Sequence, residues 1–207
     1  MKRLGLFALL AMIACAPAAR GQDSVSSAAQ GDLPPPGFGT LNQDDIAITL
    51  RQEDLEIRIV PLDERVLRLL APDAYASLHG ILQSRAASID SLARRNGVST
   101  PGILFVTFFG RRAGARYQPE DINVFIRNQL YRPLGTVPYS DNFNSLQLEV
   151  RQQASGLIVF GEPLPVFESF TISYGTAVSS DWEGKLNRLQ RERSRVMGRV
   201  RPDSAGL

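Results

Sequence analysis

Three arginines in the middle of the chain are spaced closely enough to bind an anion together. Arg111, Arg112 and Arg116 fall within the segment RRAGAR, shortly after an apolar run that ends at Phe109. Guanidinium groups donate paired hydrogen bonds to carboxylates and phosphates, so this loop is a candidate site for a small anion or a glycan acid. The alternative is a solvated loop whose charges keep a sheet edge from pairing with another chain.

The second candidate is the C-terminal segment, where charge and apolar spacing coincide. Residues 183–207 hold seven basic and three acidic residues, whereas residues 22–182 hold 13 basic and 18 acidic ones. Serine at 180 and glutamate at 183 have the spacing of a capping box, which predicts a helix over 181–200. Its candidate partner-binding residues are Trp182, Leu186, Leu189 and Arg193. The helix either docks on its own domain or enters a groove on a partner.

Catalytic and metal-binding patterns are weak in this sequence. His79 is the single histidine, and neither GxSxG nor SxxK accompanies it. The oxygen-rich run at 141–144 lacks the spaced acids and the final glutamate of a calcium loop, so it is interpreted as a turn. We therefore predict no cofactor, no metal and no enzymatic activity. A hydrolase that uses dispersed acidic residues is the remaining catalytic alternative.

The N-terminus has the pattern of an export signal. Lys2 and Arg3 precede an apolar run over 4–14, and small residues follow, with Ala19 and Gly21 placed for cleavage before Gln22. A second interpretation treats Cys15 as a lipidation site, so that the signal would be residues 1–14 rather than 1–21. The sequence therefore predicts a periplasmic or secreted protein, or alternatively a membrane-anchored lipoprotein.

Removal of this signal changes what the composition implies. Residues 1–21 contain three basic residues and no acid, so the net charge of +2 for the full chain becomes −1 in the mature chain. A nucleic-acid-binding role then has no support from charge, and membrane contact is expected only through lipidation of Cys15. Because Cys15 is the only cysteine, no internal disulfide can form.

Hydrophobic periodicity divides the rest of the chain into elements. A Pro/Gly/Ser-rich flexible spacer is predicted over 22–43, a folded domain over 44–180 and a disordered tail over 201–207. Period-two alternation predicts a hairpin between 46 and 59, and a helical stripe predicts a helix from Asp73, its expected cap, to about residue 95. Further strands are predicted at 103–109, 122–127, 146–151 and 170–174, with a short run at 157–160 paired to 146–151.

This order of elements favours an α+β fold. We predict an antiparallel β-sandwich with one long covering helix and a C-terminal amphipathic helix. Over about residues 45–178 the strand pattern resembles the immunoglobulin-like accessory domains of bacterial envelope proteins, and the resemblance carries no site residue across. The resulting functional prediction is an exported, non-catalytic interaction module that binds an envelope protein through the terminal helix or a sheet edge. The alternative is a small-anion or glycan-binding domain that uses the 111–116 loop.

Overall fold

A computed structural model describes residues 33–200, and for Val200 the backbone alone. The helices in this range are α1 (Gln43–Ile46), α2 (Glu64–Leu67), α3 (Pro72–Arg95) and α4 (Asp181–Val200). Two 3-10 helices lie at Pro119–Asp121 and Asp141–Ser145. The strands are β1 (Ile48–Arg51), β2 (Leu55–Pro61), β3 (Gly102–Gly110), β4 (Ala115–Arg116), β5 (Ile122–Ile126), β6 (Gln129–Tyr131), β7 (Pro133–Pro138), β8 (Gln147–Leu148), β9 (Gln153–Phe160), β10 (Thr171–Tyr174) and β11 (Ala177–Ser179).

The strands of the described range form three antiparallel sheets. One has five strands in the order β1-β2-β3-β9-β7, another has four in the order β11-β10-β5-β6, and β4 pairs with β8 alone. The fold is therefore a mixed α+β fold with antiparallel sheets and a C-terminal helix. The immunoglobulin-like sandwich stays a prediction.

β3 is the central strand of the larger sheet, as its two apolar faces indicate. It pairs with β2 on one side and with β9 on the other. Leu104, Val106 and Phe108 are fully buried on one face. The Phe105 ring, on the other face, contacts Tyr139, and the Arg85 guanidinium of α3 lies over that same tyrosine ring.

The long helix α3 spans nearly the predicted residues but begins differently. Its cap is Ala71, with Pro72 in the first turn and no side-chain cap bond, so Asp73 does not cap it. Proline suits this position because its missing N–H would have no helical partner there. The helix ends at Asn96, followed by Gly97 with a φ of +68°, the usual left-handed termination.

The strand predicted at 146–151 is wrong, and so is its pairing with 157–160. The structure has only the two-residue β8 there, while β9 begins at Gln153 and pairs with β3 and β7. Leu146 and Arg151 have φ values of +55° and +66°, which end the extended conformation on both sides of β8. The residues 152–156 resembled a turn because they are small and polar, but Ala154 and Ser155 are buried within β9.

The predicted spacer also overlaps residues that pack into the fold. Leu41 is 4% exposed and forms a parallel bridge with Leu70. Gly39 lies so close to the Leu69 backbone that a Cβ there would stand 2.1 Å from its carbonyl carbon. Residues 39–43 therefore belong to the folded part of the chain, because a small residue allows close backbone approach at this point.

Candidate functional site

The structure places Arg111 and Arg112 against the turn between β1 and β2. The Arg111 guanidinium donates to the Gln52 carbonyl at 2.9 Å. The Arg112 guanidinium forms ion pairs with Glu53 and Asp54. Two carboxylates beside these side chains would repel an anion. The three predicted arginines therefore do not form one clamp.

Arg116 lies instead at a cleft of about 500 Å³. It is on β4, where it pairs with Gln147 of β8. Within residues 33–200 no ion pair or side-chain hydrogen bond holds its guanidinium. The side chains that line the cleft are Arg116, Tyr117, Gln118, Asp121, Ser145, Leu146, Gln147 and Tyr174.

Two buried tyrosines form the floor of this cleft. Tyr117 stacks on Phe108 at a centroid distance of 4.5 Å, and Tyr174 contacts the same ring at 5.9 Å. The Tyr117 hydroxyl donates to the Phe143 carbonyl at 2.7 Å. The Tyr174 hydroxyl accepts the Gln118 backbone N–H at 3.0 Å, which leaves its own proton available for a ligand.

Both tyrosines stay protonated at neutral pH. Burial raises the pKa of Tyr117 above its usual value of 10.0. Burial also raises the pKa of Tyr174, and the negative charge of Asp121 raises it further. A buried phenol beside a carboxylate remains neutral because its anion would be poorly solvated and repelled. Tyr174 is therefore a fixed hydrogen-bond donor at the cleft.

The rim of the cleft carries backbone strain. Leu146 has φ 55° and ψ 17°, a left-handed conformation that costs a side-chain-bearing residue about 1–2 kcal/mol. Its carbonyl accepts the Tyr117 N–H at 3.1 Å, and its side chain is 40% exposed. Such strain is concentrated at binding sites in many proteins, since the surrounding structure must hold it.

The apolar stripe of α4 packs onto the chain's own domain. Trp182 is fully buried, stacks on Phe170 at 5.0 Å and donates to the Val166 carbonyl at 3.2 Å. Leu189 is 1% exposed, and Leu186 is partly buried against the same core. The Arg193 guanidinium lies 4.9 Å above the Phe167 ring. These four candidate residues therefore contact the domain in this structure, and their binding to a partner stays a prediction.

Two basic residues of α4 contact α1 near the beginning of the fold, one through a carboxylate and one through a backbone carbonyl. Arg188 forms an ion pair with Asp45 at 2.5 Å, and Lys185 donates to the Asp44 carbonyl at 3.2 Å. The opposite charges of the C-terminal segment and the preceding region thus meet within one molecule. Part of the charge asymmetry is an intramolecular interface.

Glu192 fixes α4 to the segment before Leu41. This buried carboxylate accepts from the Thr40 N–H at 2.7 Å and from the Thr40 hydroxyl at 2.9 Å. Arg195 donates to it at 2.7 Å and also reaches the Phe38 carbonyl at 2.6 Å. The Arg195 hydrogen bond and, after it, the Thr40 donors lower the pKa of Glu192 from 4.5 to about 2, against the effect of burial. The charged form of Glu192 therefore holds the two ends of the described chain together.

The single histidine is part of a polar cluster between α2 and α3. His79 Nδ1 lies 2.6 Å from Glu64 Oε1, and Arg68 donates to the other oxygen of Glu64 at 2.8 Å. The Tyr75 ring stacks on His79 at 5.1 Å. Each of these groups thus has a structural partner, and the His79 side chain is 34% exposed.

The outer face of the four-stranded sheet exposes apolar side chains. Phe125 pairs with Leu130 across β5 and β6, and Val178 lies on the same face two strands away. Their exposed fractions are 38%, 42% and 64%. The opposite face of β5 carries Ile122 and Val124, which are fully buried. The outer face also carries the polar Asn123, Thr171 and Ser173, which lie between Val178 and Phe125.

Neither a metal cluster nor a membrane-spanning helix is present in the described part of the chain. Residues 33–200 contain no group of three or more metal-ligating His, Cys, Asp or Glu side chains. The helices in this range are too short or too polar to cross a bilayer. Cys15 and both predicted cleavage sites lie outside the described residues.

Sequence reasoning found Arg116 but missed the residues that surround it. Tyr174 ends a strand that was predicted, and its alternation with Ile172 marks it as inward-facing. Nothing local connects it with Gln118, whose backbone N–H it binds 56 positions away. Leu146 gave the opposite signal, since a leucine beside Gln147 and Leu148 favours an extended strand.

Comparison with known proteins gives no family. No protein-family model and no curated protein matches the sequence. Among solved structures, the chain is similar to a functionally unknown protein from Listeria monocytogenes EGD-e, with 10% sequence identity and a TM-score of 0.31. The match covers 66% of this chain and 76% of that one.

Proposed function

We propose that this chain is an exported, non-catalytic interaction module that binds a protein partner of the cell envelope or extracellular space. The observation that carries the proposal is the apolar outer face of the four-stranded sheet, formed by Phe125, Leu130 and Val178. Exposed apolar surface is unfavourable in water, and clusters of exposed apolar side chains mark interaction sites in many soluble proteins. We call these three residues the outer face.

The terminal helix is a weaker choice for the binding surface. Its apolar stripe is occupied by Phe170, Val166 and the rest of the domain core. A partner could reach that stripe only after α4 detached, which would expose Trp182 and leave Glu192 without Thr40. The outer face needs no such rearrangement.

The surroundings of the outer face favour an apolar partner surface. An ion pair joins Arg127, in the turn after β5, with Glu168 at 2.6 Å, so these two charges are matched within the chain. Interfaces with depleted charge at their centre and polar groups at the rim commonly join proteins. The partner is therefore expected to offer aromatic or aliphatic side chains.

The immunoglobulin-like sandwich belongs to the same proposal. Phe108 of the five-stranded sheet contacts Tyr174 of the four-stranded sheet, which supports face-to-face packing of the two sheets. α3 lies at the other face of the larger sheet, where Leu92 is adjacent to Gly135 of β7. In this arrangement the outer face is the side of the sandwich that α3 leaves uncovered.

Export is supported by the sequence of residues 1–21 and can be tested by the intact mass of the mature protein. A mature chain that begins at Gln22 would indicate cleavage by the soluble route. A chain that begins at a lipid-modified Cys15 would indicate a membrane anchor. An uncleaved chain beginning at Met1 would contradict export through this signal.

The binding test compares a double variant of the outer face with a single control variant elsewhere on the surface. The double variant Phe125→Thr/Val178→Thr removes apolar surface from the outer face but keeps residues that favour strands. The control Val150→Thr changes a valine that is 51% exposed outside this face. Cross-linked capture from the envelope of expressing cells should fall at least about tenfold for the double variant, since a few central apolar residues dominate most interfaces. Equal capture by both variants would contradict the proposal.

Truncation after Ser179 is not suitable for this test. It removes Trp182 from the core, so that lost capture would report unfolding as readily as a lost contact.

Among the alternatives, anion or glycan binding is favoured by one observation, the cleft at Arg116. The hydrolase with dispersed acidic residues stays an untested prediction.

A further inference from the structure

We infer that the cleft at Arg116 binds a saccharide unit that carries a carboxylate, such as a hexuronic acid. This inference does not depend on the proposed function, because the cleft and the outer face use different residues. It rests on the geometry of the cleft and on which of its polar groups are left without partners in the described chain.

The Arg116 guanidinium is the cation of the cleft that can bind a ligand carboxylate. Arg111 and Arg112 are held by the β1–β2 turn, whereas the Arg116 guanidinium makes no hydrogen bond or ion pair within residues 33–200. Its backbone is nevertheless fixed, since β4 pairs with β8 and the next residue, Tyr117, is buried. A guanidinium on a fixed backbone can bind a carboxylate through two parallel hydrogen bonds.

Other polar groups of the cleft can bind the hydroxyl groups of a sugar. Tyr174 offers its phenolic proton, Asp121 offers a carboxylate, and Gln118 and Gln147 offer side-chain amides. Ser145 is not part of this set, because its hydroxyl lies 2.7 Å from the Asn142 carbonyl and 2.9 Å from the Gln147 carbonyl. Donors and acceptors side by side suit vicinal hydroxyl groups, each of which both donates and accepts a hydrogen bond.

The carboxylate of Asp121 makes the cleft more suitable for a sugar acid than for a free phosphate. Asp121 lines the same cleft as Arg116, and the two do not form an ion pair. A dianionic phosphate would be attracted by one guanidinium and repelled by this carboxylate. A sugar acid could place one carboxylate at Arg116 and the hydroxyls of the same ring, rather than further negative charge, at Asp121. The second arrangement satisfies both groups.

The remaining features of the cleft fit a ring with apolar C–H groups. Leu146 is held at the rim in a left-handed conformation with its side chain 40% exposed. Tyr117 and Tyr174 also line the cleft, and both rings contact Phe108. The volume of about 500 Å³ lies within the range of small-ligand sites, so it suits one or two sugar rings.

The test is a calorimetric titration of the mature chain with digalacturonate, galactobiose and inorganic phosphate in parallel. We expect binding of digalacturonate, at least about tenfold weaker binding by Arg116→Gln, and at least about tenfold weaker binding of galactobiose, because a charge-assisted pair is lost in both cases. Arg94→Gln is the matched control, since Arg94 is an exposed arginine of α3 outside the cleft. It should bind like the unmodified chain.

Asp121→Asn separates the two ligand classes. The affinity for digalacturonate relative to phosphate should fall in this variant, because the removal of repulsion favours both anions, whereas the loss of a hydroxyl acceptor weakens only the sugar. The inference would be overturned by no binding of digalacturonate, by equal binding of galactobiose, or by an Arg116→Gln variant that behaves like Arg94→Gln. If an equal concentration of phosphate displaced digalacturonate, the cleft would be a site for simple anions, and the inference of a sugar acid would be wrong.

Discussion

The two arginine-rich regions of this chain look alike in sequence and differ in the structure. In α4, Arg188 binds the Asp45 carboxylate and Arg195 binds the Phe38 carbonyl, so both arginines attach the helix to the beginning of the fold. After β3, Arg111 and Arg112 bind the turn between β1 and β2, whereas Arg116 has no such partner among the described residues. Each cluster thus contains arginines with a structural role, and the second also contains one that is available to a ligand.

A high density of basic residues does not indicate a binding function until the groups that each side chain contacts within the fold are known. Thr40 and Glu192 are 152 positions apart, and Phe38 and Arg195 are 157 apart. Seven of the last 25 residues of the chain are basic, which by itself suggests an acidic partner outside the chain. The fold supplies acidic and carbonyl groups from its own N-terminal side instead.

The largest effect is expected where α4 enters the core. Trp182→Ala should lower the free energy of unfolding by about 3–5 kcal/mol, because it removes a fully buried ring that stacks on Phe170. Urea denaturation of the mature chain measures this change. Asn187→Ala, on the exposed side of α4, is the control and should stay within about 0.5 kcal/mol. A small effect of Trp182→Ala would mean that the helix does not depend on this contact.

Glu192 should make stability depend on acid pH. Its pKa is lowered from 4.5 to about 2 in the folded chain, so its charged form stabilises the fold above about pH 4.5. This contribution, on the order of 3 kcal/mol, is lost as pH falls towards about 2. Glu192→Gln should therefore lower stability by about 2 kcal/mol at neutral pH and flatten the profile between pH 4.5 and 2.

The matched control for this profile is Glu183→Gln, an exposed glutamate of the same helix. Thermal unfolding at a series of pH values compares the three proteins. A Glu192→Gln profile that falls as steeply as that of the unmodified chain would show that other carboxyl groups carry the acid dependence.

The fold could be predicted where periodicity and local chemistry agree. The β1–β2 hairpin, the central strand and the long helix follow from period-two and helical spacing over residues 46–109. The prediction failed at β8 and β9, where the left-handed Leu146 and Arg151 interrupt a sequence that favours extended backbone. β7 was missed because its prolines at 133 and 138 indicate a turn, although an edge strand tolerates them.

The candidate site could be predicted only in part, for a related reason. Arg116 was found from its neighbours Arg111 and Arg112, which turned out to face another partner. The cleft arises where the loop after β3, the Asp141–Ser145 turn and the end of β10 meet. Such a meeting depends on strand order, which single-sequence periodicity does not determine.

At the rim of the cleft we expect a smaller change in the free energy of unfolding, and it is a gain rather than the loss expected for the Trp182 and Glu192 variants. Leu146→Gly should raise stability by about 0.5 kcal/mol, since glycine relieves the left-handed strain but loses more entropy on folding. Val150→Gly, which changes an exposed residue outside the left-handed region, should lower stability by about 0.5–1 kcal/mol. Equal losses in urea denaturation for both variants would indicate that Leu146 stores no strain.

The smallest effect should come from the exposed ion pairs beside the cleft. Arg112→Gln should change the free energy of unfolding by less than about 0.5 kcal/mol, because the Arg112 side chain is 60% exposed. Urea denaturation at low and high salt checks this value. A loss above about 1 kcal/mol would show that the 111–116 loop stabilises the fold as α4 does.

The most direct test of the contrast between the two arginine-rich regions is the unfolding free energy of Arg195→Gln beside that of Arg116→Gln. Arg195 neutralises the buried Glu192, so its loss should cost about 2 kcal/mol. Arg116 has no partner within residues 33–200, so its loss should stay within about 0.5 kcal/mol. Equal costs, or a larger cost for Arg116→Gln, would contradict the assignment of one arginine to structure and the other to a ligand.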